Sequence, residues 1–143
     1  MAAPKAVIDT NVLVGALLGR EGWNRRVFRA CFEDRLKPLM GHTLFLEYED
    51  LMARSRLFGK CPLNARERQQ FLESFLSVCE WVQVYYPWRP NLRDEGDNHV
   101  VELAVAGGAS MIVTNNRADF AGSDLRFPDV RILSPKDLLK ELA

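Results

Sequence analysis

Cysteine is scarce in this chain of 143 residues: Cys31, Cys61 and Cys79 are an odd number, far apart, and have no close Cys or His neighbours. Such spacing excludes a disulfide framework and a Cys/His zinc site, so three reduced thiols are expected. An excess of one charge is missing too. Nineteen Lys plus Arg balance 19 Asp plus Glu, and the isoelectric point is about 6.7. A strongly basic nucleic-acid coat is thereby excluded, and metal ions rather than lysines would have to neutralise phosphate at any reacting centre. The sequence offers neither a signal-peptide layout nor about 20 consecutive apolar residues for a membrane span, which gives the expectation of a cytoplasmic protein. Repeats, low-complexity tracts and linkers are absent as well. The hydrophobic content of 48% suffices for one buried core, so a single domain over residues 1–143 is expected.

What is present is an alternation of short apolar runs with helical periodicity. Ala6-Val7-Ile8, stopped by Asp9-Thr10-Asn11, reads as a strand buried on both faces. Val12, Leu13, Ala16 and Leu17 keep helical spacing as far as Gly19, and a second helix is expected from Asn24 as cap through Phe32. Leu36 to Gly41 reads as a strand, followed by a helix capped by Thr43 that carries Glu47 and runs to about Leu57. Asn64 with Glu67 forms a capping box for the next helix, and a strand is expected at Trp81 to Tyr86. Asp97 stands as the cap of a helix that Gly107-Gly108 ends. Met111-Ile112-Val113, stopped by Thr114-Asn115-Asn116, repeats the layout of the first strand. Val130 to Leu133 is a last strand, and Ser134-Pro135 opens the final helix. Such alternation calls for a mostly parallel sheet covered on both faces, a three-layer α/β sandwich.

In an open parallel sheet the binding crevice lies beyond the carboxyl ends of the strands, where the strand order reverses. Both polar triplets would point there, with Glu47 and Asp97 converging from helices. Carboxylates gathered in this way need a cation to stay ionised together. Mg²⁺ or Mn²⁺ suits oxygen ligands and keeps positions open for a phosphate, which makes metal-assisted phosphodiester hydrolysis the expected reaction class.

Val7-Ile8-Asp9-Thr10-Asn11, Glu47-Tyr48-Glu49, Arg93-Asp94-Glu95-Gly96-Asp97-Asn98-His99, Val113-Thr114-Asn115-Asn116-Arg117-Ala118-Asp119-Phe120 and Leu133-Ser134-Pro135 resemble, in order and spacing, the PIN-domain family. More narrowly, the chain resembles its bacterial branch of toxins from type II toxin–antitoxin pairs, nearly end to end. The resemblance implies a parallel five-stranded sheet of PIN-like, Rossmann-like kind and a ribonuclease dependent on Mg²⁺ or Mn²⁺. It places Asp9, Glu47 and Asp97 as the first, second and third acids and metal ligands, and Asn116 at the fourth position, where the family carries an acid. This departure brings no charge; Asp119 or Asp94 are the available substitutes, and Asn11 is expected to fix the Asp9 carboxylate. Arg20, Arg93 and Arg117 are candidate phosphate contacts. An RNA substrate, an antitoxin protein docked on apolar residues of the early helices, and a homodimer are further implied partners.

Blander readings attach to the same residues. Asp9 and Asp97 are also ordinary helix caps, Glu49 replaces Glu47 as the inward residue if the helix phase differs, and Asn116 and Asp119 also suit a turn. His42 and His99 have no nucleophile motif beside them and are read as structural. Trp81 is read as core, and Trp88, between prolines, as exposed. Two rival functions stand beside the nuclease. One is a phosphoaspartate phosphatase, against which Asn11 occupies the position of a second Asp and no lysine follows the later strands. The other is a non-catalytic RNA-binding module with a degraded metal site.

Overall fold

Five apolar runs become the strands of one parallel sheet: β1 (Lys5–Ile8), β2 (Lys37–Met40), β3 (Glu80–Trp81), β4 (Met111–Val113) and β5 (Arg131–Leu133), in the order β3-β2-β1-β4-β5. The structure is a computed structural model that describes residues 2–19, 22–84, 98–120, 127 and 129–143. Between the strands run α1 (Thr10–Leu18), α2 (Trp23–Phe32), α3 (His42–Met52), α4 (Ala65–Val78) and α5 (Asn98–Gly107), and α6 (Pro135–Leu142) follows β5. Right-handed crossovers put the helices of the steps β1 to β2 and β2 to β3 on one face, and α5, on the return step to β4, on the other. The packing agrees: α2 contacts α1, α4 and α6, whereas α5 lies on β1, β2 and β4. This is the expected α/β sandwich with a parallel five-stranded sheet.

The central strands are buried on both sides, with Ala6, Val7, Ile8, Ile112 and Val113 at most 1% exposed, which is why they read as unbroken apolar runs. An aromatic cluster fills the α2–α4 layer. Phe28 meets Phe71 and Phe75 edge-on at centroid distances of 5.4 and 4.8 Å, and Phe32 meets Phe71 at 5.7 Å. Tyr48, fully buried on α3, leans on Phe75 and donates its hydroxyl to the carbonyl of Ile8 at 2.6 Å. That bond ties α3 to the end of the central strand.

Local signals are confirmed in several places. The Asn64/Glu67 capping box has both of its hydrogen bonds, Ser134 accepts from the Asp137 amide with Pro135 in the first turn, and Gly108 follows α5 at φ 71°. Several boundaries differ. The N-cap of α2 is Gly22, at φ 144°, and the Asn24 side chain bonds to Asn115 instead of capping. The N-cap of α3 is Gly41 rather than Thr43, without a side-chain bond, and the helix stops at Met52 before a separate 3-10 turn at Ser55–Phe58. β3 is shorter than the expected Trp81 to Tyr86: it starts one residue earlier, Glu80 opposite Leu39, and ends at Trp81, with residues 82–84 outside the strand and 85–86 outside the described residues, and the Glu80 carboxylate also reaches Lys5 at 3.0 Å. Trp81 is therefore not core. It lies on an edge strand, 53% exposed, against Phe45.

Replacing Tyr48 with Phe removes the bond to Ile8 while keeping the ring. We expect a loss of about 1–2 kcal/mol in urea unfolding. An unchanged midpoint and slope would mean that this bond does not anchor α3.

Candidate functional site

The strand order reverses between β1 and β4, with β2 and β3 on the far side of β1 and β5 on the far side of β4. Ile8 pairs with Val113, so the next residues, Asp9 and Thr114, emerge side by side at the carboxyl ends of the two strands. Asp9 caps α1, its Oδ1 accepting the Thr10 amide at 2.8 Å. Its Oδ2 accepts the Thr114 hydroxyl at 2.9 Å and the Asn11 amide at 3.3 Å. Asn11 thus fixes the carboxylate as expected, and its own Oδ1 accepts the Asn115 amide at 3.0 Å.

Asp9 is only 4% exposed. Burial pushes its carboxyl above the ordinary range and the Glu47 charge pushes the same way, against the donors Thr114 and Thr10 and the nearby His99. Among the described residues no lysine or arginine forms an ion pair with it. A buried acid held by three oriented donors and, among the described residues, by no lysine or arginine is suited to a cation.

Glu47 comes from the middle of α3, the helix that Tyr48 ties to β1. Its Oε1 accepts the Thr10 hydroxyl at 3.0 Å, and its Oε2 lies 2.7 Å from Nε2 of His99 on α5. Burial would raise its pKa, but the hydrogen bond and charge of His99 and the Thr10 bond outweigh it and hold Glu47 below the usual carboxylate range. Glu49 is exposed on another side of the helix, so the inward glutamate is Glu47. The two carboxylates are linked through one residue, since Thr10 donates its amide to Asp9 and its hydroxyl to Glu47.

At the end of β4 the Asn116 amide nitrogen donates to Asp119 Oδ2 at 2.8 Å across the 3-10 turn Arg117–Phe120, and its backbone amide donates to the Thr114 hydroxyl at 3.1 Å. The neutral fourth position therefore has a carboxylate directly behind it. Asn115 completes the rim by donating to Asn24 at 2.8 Å. That contact needs Gly15 in α1, because a Cβ there would stand 2.3 Å from the Asn24 amide nitrogen.

Asp97, Asp94, Arg93, Arg20 and Trp88 lie outside the described residues. Arg117 is exposed, 4.0 Å from Asp137. His99, read as structural from the sequence, is brought onto Glu47; its place two residues after Asp97 was the only signal, and spacing alone cannot say what a histidine will meet. His99 also lines a cavity of about 670 Å³ with His42, Thr43, Trp81 and Glu102.

The donor set suits a hard divalent cation. Asp9 and Glu47 offer oxygens with lone pairs to spare, and the raised Asp9 pKa marks charge that a cation would stabilise. Among the described residues no group of three or more His, Cys, Asp or Glu is poised around one point, so a complete shell needs donors beyond these two.

A family model described as PIN domain matches residues 5–118, which include Asp9, Glu47, Asp97 and Asn116. No curated protein matches the chain. Several solved structures share the fold, and two serve as examples. One is VapBC2 from Rickettsia felis bound to a DNA fragment from their promoter: TM-score 0.61, 18% identity, 91% of this chain and 98% of that one covered. The other is PAE2754 from Pyrobaculum aerophilum: TM-score 0.61, 13% identity, 99% of this chain and 92% of that one covered. With the parallel sheet and the acid at the end of its first strand, the match makes this chain a member of the PIN-domain family.

Proposed function

We propose that the chain is an endoribonuclease that hydrolyses RNA phosphodiester bonds with Mg²⁺ or Mn²⁺ held by Asp9, Glu47 and Asp97, with Asn116 completing the site. The observation that carries this reading is the buried Asp9 carboxylate, joined to Glu47 through Thr10 at the switch point and without a basic partner among the described residues. Family membership supports it. The divalent ion, when bound, supplies charge neutralisation at the phosphoryl oxygens and an acidified water. The protein's own residues supply the rest. Asp9 is oriented by Thr10, Asn11 and Thr114, and Glu47, kept ionised by His99 and Thr10, has lone pairs left to align an attacking water and accept its proton. Attack by water on phosphorus with cleavage of the P–O3′ bond, the departing 3′-oxygen taking up a proton, leaves 5′-phosphate and 3′-hydroxyl ends. Arg117, exposed on the rim, is suited to hold a flanking phosphate.

The toxin-branch resemblance and the likeness to the VapBC2 fold support an antitoxin protein as partner. Leu18, Trp23 and Phe32, between 39% and 42% exposed around α1 and α2, are the apolar surface we assign to it. A homodimer in the cytoplasm belongs to the same reading, and among the described residues no helix is long and apolar enough to cross a membrane. One observation favours a second reading: Asn116 is neutral where the family carries an acid, which suits an RNA-binding module that does not cut.

Purified protein should cleave single-stranded RNA in Mn²⁺, and the cleavage should vanish in chelator and fall by at least about a hundredfold in Asp9→Asn and Asp97→Asn. RNA bound but left intact under all conditions would favour the second reading. The raised Asp9 pKa gives a companion prediction. A carboxyl whose folded pKa exceeds its unfolded one lowers stability above the folded value, and the penalty is relieved as pH falls through it. Asp9→Asn should therefore raise the melting temperature of metal-free protein at pH 7, with the advantage shrinking on acidification. A lower melting temperature at pH 7 would show that the lost hydrogen bonds outweigh the buried charge.

A further inference from the structure

Glu47 is held at both carboxylate oxygens, and the two donors come from different elements. Thr10 on α1 donates to Oε1 at 3.0 Å, and His99, the second residue of α5, stands at Oε2 at 2.7 Å. An ionised carboxylate only accepts, so the hydrogen of this contact belongs to Nε2 of His99. The other ring nitrogen, Nδ1, is buried without a hydrogen-bond partner among the described residues. With Nε2 given to Glu47 and Nδ1 enclosed, neither nitrogen is presented as a ligand.

From this geometry we infer that His99 is a positioning residue: it fixes the Glu47 carboxylate for a divalent cation and does not ligate the cation itself. The inference rests on the metal-site reading above and adds to it a residue outside the acidic set. Two donors on opposite oxygens stop the carboxylate from turning about its last bond, and the remaining lone pairs are left for the cation. The arrangement also couples the two faces of the sheet, because α5 lies on the face opposite α1 and α2, and its first turn meets α3 at Glu47. A half-buried glutamate at the rim of the site would otherwise sample several rotamers, each diluting the one that serves the site.

The test is Mn²⁺ affinity of the full chain, read by electron paramagnetic resonance of the free ion, for wild type, His99→Leu, His99→Gln, Glu47→Gln and the Glu47→Gln/His99→Leu double variant. Thermal unfolding confirms that each variant is folded. Loss of the donor in His99→Leu should weaken Mn²⁺ binding about 10–100-fold, whereas His99→Gln, whose amide nitrogen can replace Nε2, should keep most of the affinity. In the Glu47→Gln background His99→Leu should have no further effect, since a residue that acts through Glu47 has nothing left to position. Wild-type affinity in His99→Leu would overturn the inference and leave the metal site standing. Additive losses would overturn it in favour of direct ligation by His99, and equal damage in His99→Gln and His99→Leu would assign the ring a packing role. If wild type itself takes up no Mn²⁺, the metal-site reading falls and this inference with it.

Discussion

A carboxylate at the end of the central strand, enclosed by protein and answered by hydrogen bonds but by no lysine or arginine among the described residues, governs this molecule. Asp9 is where β1, α1 and β4 meet: its amide donates to Val113, its side chain caps α1, and its Oδ2 takes the Thr114 hydroxyl. Oriented dipoles reduce the penalty of burying the charge without removing it, and the raised pKa records what is left. Such a residue serves folding poorly and serves a cation well. The same acid that terminates the strand and starts the helix is left in want of a counter-charge at the one place where a parallel sheet opens a crevice.

The second carboxylate is brought there by a chain of constraints that begins in the core. Tyr48 is fully buried and its hydroxyl is spent on the Ile8 carbonyl, so α3 cannot turn without breaking a buried bond. One residue earlier, Glu47 is thereby fixed at the rim, where Thr10 and His99 orient it. The Asn11, Asn24, Asn115 and Asn116 amides make up most of the remaining rim. Their role is geometric, since they carry no charge, and it falls to Asp119 to place a carboxylate behind Asn116.

How far the sequence foretold this depends on the range of the forces involved. Short-range rules did well: apolar runs gave the central strands, Asn64 with Glu67 and Ser134 with Pro135 gave helix starts, and Gly107-Gly108 gave a helix end. Errors fell where tertiary contact overrode a local preference. Asn24 has the side chain of a cap but spends it on Asn115, and a glycine in an open backbone conformation starts α2 instead. Trp81 has the apolar bulk of a core residue but lies half exposed on the edge strand, its ring against Phe45. In the site, the Asp9 position and its fixing by Asn11 were legible because both rest on residues two apart. The link from Glu47 to His99, 52 positions away, was not, because only the packing of α5 against α3 creates it. The family motif named the acids; it did not reveal what holds them.

The central claim is that the Asp9 and Glu47 carboxylates are arranged around a divalent cation. Its most direct test is a crystal grown in Mn²⁺, with anomalous diffraction measured above and below the manganese edge. The account predicts an anomalous peak beyond the carboxyl ends of β1 and β4, about 2.0–2.6 Å from an Asp9 carboxylate oxygen, with Glu47 either on the ion or on its water. Ordered Asp9 and Glu47 side chains with no peak between them, or Mn²⁺ bound only at carboxylates elsewhere on the surface, would contradict it.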